Sequence, residues 1–151
     1  MEYELAAARD IDALYDLQRR AFESEAEMIG SRNVPALLES RAKNRADFAN
    51  WTVLVRRDDG GKIVGAVRFR REDDHVEIGR LMVAPEHRRQ GVATELMRAA
   101  EEYSRGGVFE LYTCTKSWIN LRLYEKLGYR TFKEERGELD LSFAYMRKTI
   151  P

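Results

Sequence analysis

Leu81-Met82-Val83-Ala84-Pro85-Glu86-His87-Arg88-Arg89-Gln90-Gly91-Val92-Ala93 is the stretch that decides how this chain is built. An apolar run stops at Pro85, two arginines follow, and a helical pattern starts after Gly91. Val92, Leu96, Met97, Ala100 and Tyr103 recur at three- and four-residue steps, so they share one helical face. Gly106-Gly107 predicts the end of that helix, and Val108 to Cys114 reads as the next strand. Strand 76–83, helix 91–105 and strand 108–114 thus form a strand–helix–strand unit. Such a unit favours parallel pairing through a right-handed crossover.

Upstream the pattern changes. Residues 2–8 suit a short strand. Asp10 then suits a helix N-cap, with Ile11, Leu14, Leu17, Ala21 and Phe22 on one face. Asn33 and Pro35 open a second helix, with Leu37, Leu38 and Phe48 as its buried side. Trp51 to Val55, Ile63 to Phe69 and Val76 to Val83 read as three strands. The polar turns Asp58-Asp59-Gly60-Gly61 and Glu72-Asp73-Asp74 separate them, which predicts an antiparallel meander. Downstream, Trp118 to Leu127 reads as a helix stopped by Gly128. Tyr129 to Phe132 begins a strand, and Leu139, Leu141, Phe143 and Tyr145 alternate along the last one. The expected class is α/β: a single domain over 1–151, with a mixed sheet of about seven strands and about four helices.

Composition excludes several functions. The chain has 26 Lys plus Arg against 26 Asp plus Glu, so it lacks the basic excess of a protein that coats nucleic acid. No apolar run approaches a membrane span, and Met1-Glu2-Tyr3-Glu4-Leu5 lacks the features of a secretory signal. The expectation is a cytoplasmic protein with neither nucleic acid nor membrane as partner. Cys114 is the single cysteine, and two histidines stand far from it, so no metal is expected either.

The loop from Arg88 to Ala93 carries the first chemical signal. A helix N-terminus exposes unpaired N–H groups and the positive end of the dipole, which together attract anions. Gly91 permits close approach to the backbone, Ala93 adds little bulk, and Arg88 and Arg89 supply charge. The inference is a pyrophosphate cradle, although an ordinary turn with solvated arginines fits the same residues. There is no Gly-Lys-Ser/Thr, so this is not a nucleotide-hydrolysing loop. Gly91 stands alone, so the three-glycine dinucleotide fingerprint is absent.

The second signal is Asn120-Leu121-Arg122-Leu123-Tyr124-Glu125-Lys126-Leu127-Gly128-Tyr129. Helical spacing puts Asn120, Leu123, Tyr124 and Leu127 on one face, so an amide and a phenol lie among the docking leucines. Polar groups on an inward face need partners or a ligand. A core tyrosine bonded to a backbone carbonyl is the simpler account.

The two stretches together resemble the GNAT family of acetyl-CoA-dependent N-acetyltransferases. The family's Gln/Arg-x-x-Gly-x-Gly/Ala motif is matched by Arg88-Arg89-Gln90-Gly91-Val92-Ala93. Its Leu-Tyr-Glu-Lys-Leu-Gly-Phe/Tyr signature is matched by Leu123 to Tyr129, in the same order. The resemblance implies that acetyl-CoA lies where the strand before the loop splays from its neighbour. Leu81, Met82 and Val83 then offer backbone groups to the pantetheine and the acetyl carbonyl. Amides from Arg89, Gln90, Gly91, Val92, Ala93 and Thr94 hold the pyrophosphate, with Arg88 beside them. Asn120 contacts the pantetheine or its thioester end. Many members place an asparagine seven residues before the tyrosine, where this chain has Ser117.

It also implies a chemistry: a primary amine of a small-molecule or peptide acceptor attacks the thioester. Such an amine is mostly protonated at neutral pH, so a proton acceptor is required. Glu77 is the favoured base, with His75, Glu86 or a water relay as alternatives. Regular alternation sets Glu77 on one face with Gly79, Leu81 and Val83, unless a bulge in the strand changes that parity. The oxyanion takes an N–H at Met82 or Val83, and Tyr124 protonates the leaving sulfur. Cys114 is read as a buried apolar residue, since direct transfer needs no acyl-enzyme. Glu23, Glu25 and Glu27 lie where the family lines its acceptor pocket, mixed with Arg32, Arg41, Lys43 and Arg45. A homodimer is common in the family. The alternative function is a non-catalytic acyl-CoA sensor, for which a proton donor at the sulfur has no use.

Overall fold

The structure, a computed structural model, describes residues 3–151. The central turn signals behave as their chemistry dictates. β2 (Thr52–Arg57) and β3 (Ile63–Arg71) join through Asp58, whose Oδ1 accepts the N–H groups of Gly60 and Lys62, both at 2.9 Å. β4 (Val76–Val83) follows antiparallel to β3, and β1 (Glu4–Leu5) adds to the far edge of β2. β5 (Val108–Cys114), β6 (Arg130–Arg136) and β7 (Ser142–Thr149) complete a seven-stranded sheet in the order β1-β2-β3-β4-β5-β7-β6. Among these neighbours only β4 and β5 run parallel.

Alternation splits the sheet's apolar residues between two layers. On one face, Leu54, Val67, Phe69 and Phe109 pack with α4 (Val92–Ser104) and with Tyr124 of α5 (Trp118–Lys126). On the other, Val55, Val64, Ala66 and Met82 pack under Leu14, Leu17 and Ala21 of α1 (Ile11–Ile29). The first layer is tight at Gly65. A Cβ there would fall 2.9 Å from Val92 Cγ1 and 3.0 Å from Leu96 Cδ1. Gly65→Ala should therefore destabilise the chain by about 1–3 kcal/mol, read as a lowered urea midpoint. An unchanged midpoint would mean that α4 can back away from β3 freely.

Two irregularities shape the site. β4 and β5 are in register only at Val76 with Phe109 and Glu77 with Glu110, although β4 runs on to Val83 and β5 to Cys114. The strands therefore fork. β4 also carries an extra residue, because Ala66 pairs with Met82 while Arg68 pairs with Gly79. Arg80, inside this bulge, has φ 48°. The bulge exchanges faces. Val76 and Ile78 lie in the α4 layer before it, and Leu81 and Val83 do so after it. Met82 turns into the α1 layer. Glu77 and Gly79 consequently do not share a face with Leu81 and Val83, which corrects the expectation from regular alternation.

Other expectations need adjusting. The strand expected over 2–8 is the pair Glu4–Leu5, and Glu2 lies outside the described residues. The second helix breaks in two, α2 (Pro35–Leu38) and α3 (Arg41–Asp47). Glu39 is extended between them, and its carboxylate turns inward to the amides of Gln18 and Asn44, each at 2.9 Å. Ser40 then caps α3 by accepting the Lys43 N–H. Leu37 is buried but Leu38 is exposed. Tyr103 is exposed on α4, and Leu139 lies outside β7 and is exposed as well. The chain thus has five α-helices rather than about four among its described residues.

Candidate active site

α4 begins without a side-chain cap. Among the described residues no hydrogen bond takes the backbone N–H groups of Arg89 through Thr94, so the amides at the helix start are unspent. Gly91 enters the helix at φ 80°, and its missing Cβ faces open space. Arg89, at φ 62°, is exposed and forms no ion pair among the described residues, while Arg88 donates to Ser24 Oγ at 2.6 Å and so ties the loop to α1. Left-handed residues beside uncapped amides make a concave row of donors suited to an anion.

A cleft of about 530 Å³ opens directly over this row. Its walls are Leu81 and Val83 of β4, the loop from His87 to Thr94 apart from Gln90, Ala21, Phe22, Ser24, Glu25 and Met28 of α1, and Ile119, Asn120 and Leu123 of α5. The walls are mainly apolar and the end is polar. A long arm carrying a diphosphate fits that distribution. The fork between β4 and β5 leaves the facing edge of β4 unpaired beyond Glu77, so backbone groups there remain available to such an arm.

Behind the cleft lies a smaller pocket of about 100 Å³, bounded by Trp51, Arg68, Glu77, Arg80, Tyr112 and Tyr124, among others. Phe22, Glu25, Leu81 and Asn120 line both spaces, so they mark the junction. Asn120 Nδ2 donates to Glu25 Oε1 at 3.1 Å. The fully buried Ser117 hydroxyl faces the same carboxylate without completing a hydrogen bond of its own. Burial raises the proton affinity of Glu25, against the partial relief from these donors and from Arg80. Tyr124 is buried and its hydroxyl has no partner among the described residues. Burial, and then the charge of Glu25, hold that hydroxyl firmly protonated.

The sequence-predicted residues distribute as follows. Leu81, Val83, Arg88, Arg89, Gly91, Val92, Ala93, Thr94 and Asn120 line the cleft, and Tyr124 and Glu77 line the pocket behind it. The Met82 side chain points away into the α1 layer, and Gln90 is exposed outside the cleft wall. Glu77 lies 3.3 Å from Arg70. His75 is bound to Asp74 at 2.7 Å and borders neither space. Glu86 pairs with Arg20 on the surface. Cys114 is buried, and burial pushes its thiol up, away from the nucleophilic thiolate.

Trp51, Arg68 and Arg80 border this region and were not among the sequence-predicted site residues, and Glu25 entered only as one of three acidic residues near the acceptor region. Glu25 had a usable signal. It falls three or four residues from Ala21, Phe22 and Ile29, inside the apolar stripe of α1. Glu23 instead pairs with Arg32, and Glu27 is exposed. Arg80 had none, because its placement depends on the bulge.

Comparison with known proteins accords with this geometry. Residues 11–129 match the model of the acetyltransferase (GNAT) family. An uncharacterised N-acetyltransferase of Bacillus subtilis, YjcF, is 32% identical over 77 residues, which cover 51% of this chain and 55% of that protein. The chain spans about half the length of the first curated relatives it matches. The ribosomal-protein-S18-alanine N-acetyltransferase of Escherichia coli has the same fold, with a TM-score of 0.80 at 17% identity over 99% of this chain and 93% of that one. The PaiA N-acetyltransferase of Thermoplasma acidophilum, in complex with coenzyme A, superposes with a TM-score of 0.76 at 18% identity over 99% of both chains.

Proposed function

The chain belongs to the acetyltransferase (GNAT) family, and from that premise we propose that it transfers an acetyl group from acetyl-CoA directly to the primary amine of a small-molecule or peptide acceptor. The observation that carries this reading is the fork between β4 and β5, with uncapped amides at its mouth and a partnerless tyrosine hydroxyl within. Acetyl-CoA supplies an acetyl thioester activated for attack. The amides from Arg89 to Thr94 bind its diphosphate, Arg89 adds a positive charge, and Leu81 and Val83 flank the arm.

In the transfer the amine nitrogen bonds to the thioester carbon, the carbon–sulfur bond breaks, and the amine gives up a proton. A backbone N–H at Met82 or Val83 receives the developing oxyanion. Tyr124 donates to the departing sulfur. Two carboxylates border the acceptor pocket and can take the amine's proton, directly or through water. Glu77 is the proposed base, and Glu25 stands beside it at the junction.

A pH–rate profile separates these two. Glu77→Gln should flatten the acidic limb. A limb that persists above the usual carboxylate range would move the role to Glu25, because burial raises the pH at which that group gives up its proton. The whole reading is tested by mixing the chain with acetyl-CoA and an amine library. Thiol release with at least one amine is expected, together with thermal stabilisation by CoA that ATP and NAD do not reproduce. Stabilisation by CoA without thiol release from any amine would instead support an acyl-CoA sensor.

A further inference from the structure

The pocket behind the cleft contains more positive charge than an amine acceptor requires. Arg68 and Arg80 both border it, and each side chain is only 15% exposed. A guanidinium carries five N–H donors and rarely lies buried without acceptors. Among the described residues these two share one hydrogen bond, from Arg68 Nη1 to Asp47 Oδ2 at 3.5 Å. Arg80 makes none, and its nearest carboxylate oxygen, Glu39 Oε1, is 3.9 Å away. The Nε atoms of both residues are buried and unpartnered.

The neighbouring carboxylates are already engaged. Asp47 accepts from Asn50 at 2.9 Å and from Trp51 Nε1 at 3.1 Å. Glu39 Oε1 accepts from Gln18 and Asn44. Arg68 Cζ lies over the Trp51 ring, 4.0 Å from its centre, a cation–π contact that helps to hold the guanidinium in place. Arg80 occupies a left-handed bulge position that L side chains adopt at a cost. Burial and the nearby Arg80 charge lower the pKa of Arg68 to about 10, so it remains cationic at neutral pH, with Asp47 at 3.5 Å as its one close counter-ion among the described residues. Gly79 lies beneath Arg68: a Cβ there would sit in ordinary contact, 3.9 Å from Arg68 Nε and 4.0 Å from Trp51.

We propose that the acceptor is a small amino acid: an amine whose own carboxylate binds Arg68 and Arg80 while its nitrogen faces Glu25 and Glu77. The inference rests on the acetyl-transfer reading for the identity of the amine as acceptor, but the anion site stands on its own geometry. A carboxylate meets two guanidinium forks with matched planar donors. The carboxylates of Glu25 and Glu77 in the same pocket suit an ammonium. The pocket volume of about 100 Å³ favours a small molecule over a long chain.

The test uses product binding, which needs no turnover. The full chain is saturated with CoA and titrated with N-acetyl-L-amino acids, each beside its carboxamide, and the thermal shift is followed. At least one carboxylate form should bind on the order of tenfold or more tighter than its amide. Arg80→Gln and Arg68→Gln should each erase that preference while stabilisation by CoA persists, which shows the variants folded. Equal binding of carboxylate and amide, binding of neither, or a preference that survives in both variants would overturn the inference. Thiol release from acetyl-CoA is read in parallel. Equal release with amines that lack an anion overturns the amino-acid proposal and leaves acetyl transfer standing. Carboxylate-selective binding with no release from any amine supports the anion site and overturns acetyl transfer.

Discussion

Gly91→Glu should abolish stabilisation by CoA while leaving the chain folded. The residue stands at φ 80° with nothing within 4 Å of the Cβ it lacks. A side chain there meets no protein atom, so its internal cost is left-handed strain of about 1–2 kcal/mol. The glutamate would instead project into the space over the uncapped amides. Its charge would oppose a diphosphate at close range, worth roughly 1–4 kcal/mol for each charge pair. Affinity should fall by roughly a hundredfold or more. Gly91→Ala supplies the control, since it imposes the strain without the charge and should keep most of the affinity. Thermal shifts against CoA concentration measure both. Tight CoA binding by the glutamate variant would put the diphosphate elsewhere.

Tyr124→Phe should reduce turnover by roughly 10²- to 10⁴-fold, the usual contribution of a positioned proton donor. The thermal shift produced by CoA should barely move, because Tyr124 lies in the pocket behind the cleft rather than among the residues that line it. The substitution should not weaken the fold, since the hydroxyl has no protein partner to leave stranded. That pairing of outcomes distinguishes a reacting group from a packing one. A variant with unaltered turnover would remove Tyr124 from the chemistry. One that loses turnover and melts early would point to the ring, which packs edge-on against Tyr129 with centroids 6.1 Å apart.

The local signals in the sequence were strong where a single element decided the outcome. The Asp58-Gly61 turn, Gly91 before α4, and the apolar face of Val92, Leu96 and Met97 each act through near neighbours. The uncapped, glycine-led start of α4 was legible for that reason. Features set by tertiary contacts were not. The break at Glu39 reflects the amides of Gln18 and Asn44, and Gln18 lies far away in the chain. The exposure of every residue of β6 follows from its edge position, which alternation cannot reveal. Arg68 and Arg80 read as ordinary strand arginines, because only folding shows that their buried Nε donors find no acceptor among the described residues. Glu25 was visible as a carboxylate inside an apolar stripe, but three neighbouring acidic residues look alike until two of them meet solvent or Arg32.

The extra residue in β4 separates two inheritances along one strand. Glu77, Ile78 and Gly79, ahead of Arg80, line the rear pocket, which the proposed transfer gives to the recipient, and Val83 beyond it lines the cleft, which that transfer gives to the donor. In the proposed transfer, drift at Gly79 can thus revise which molecule is accepted without disturbing how the donor is held. Loss of the single inserted position would rotate one half against the other and spoil both at once.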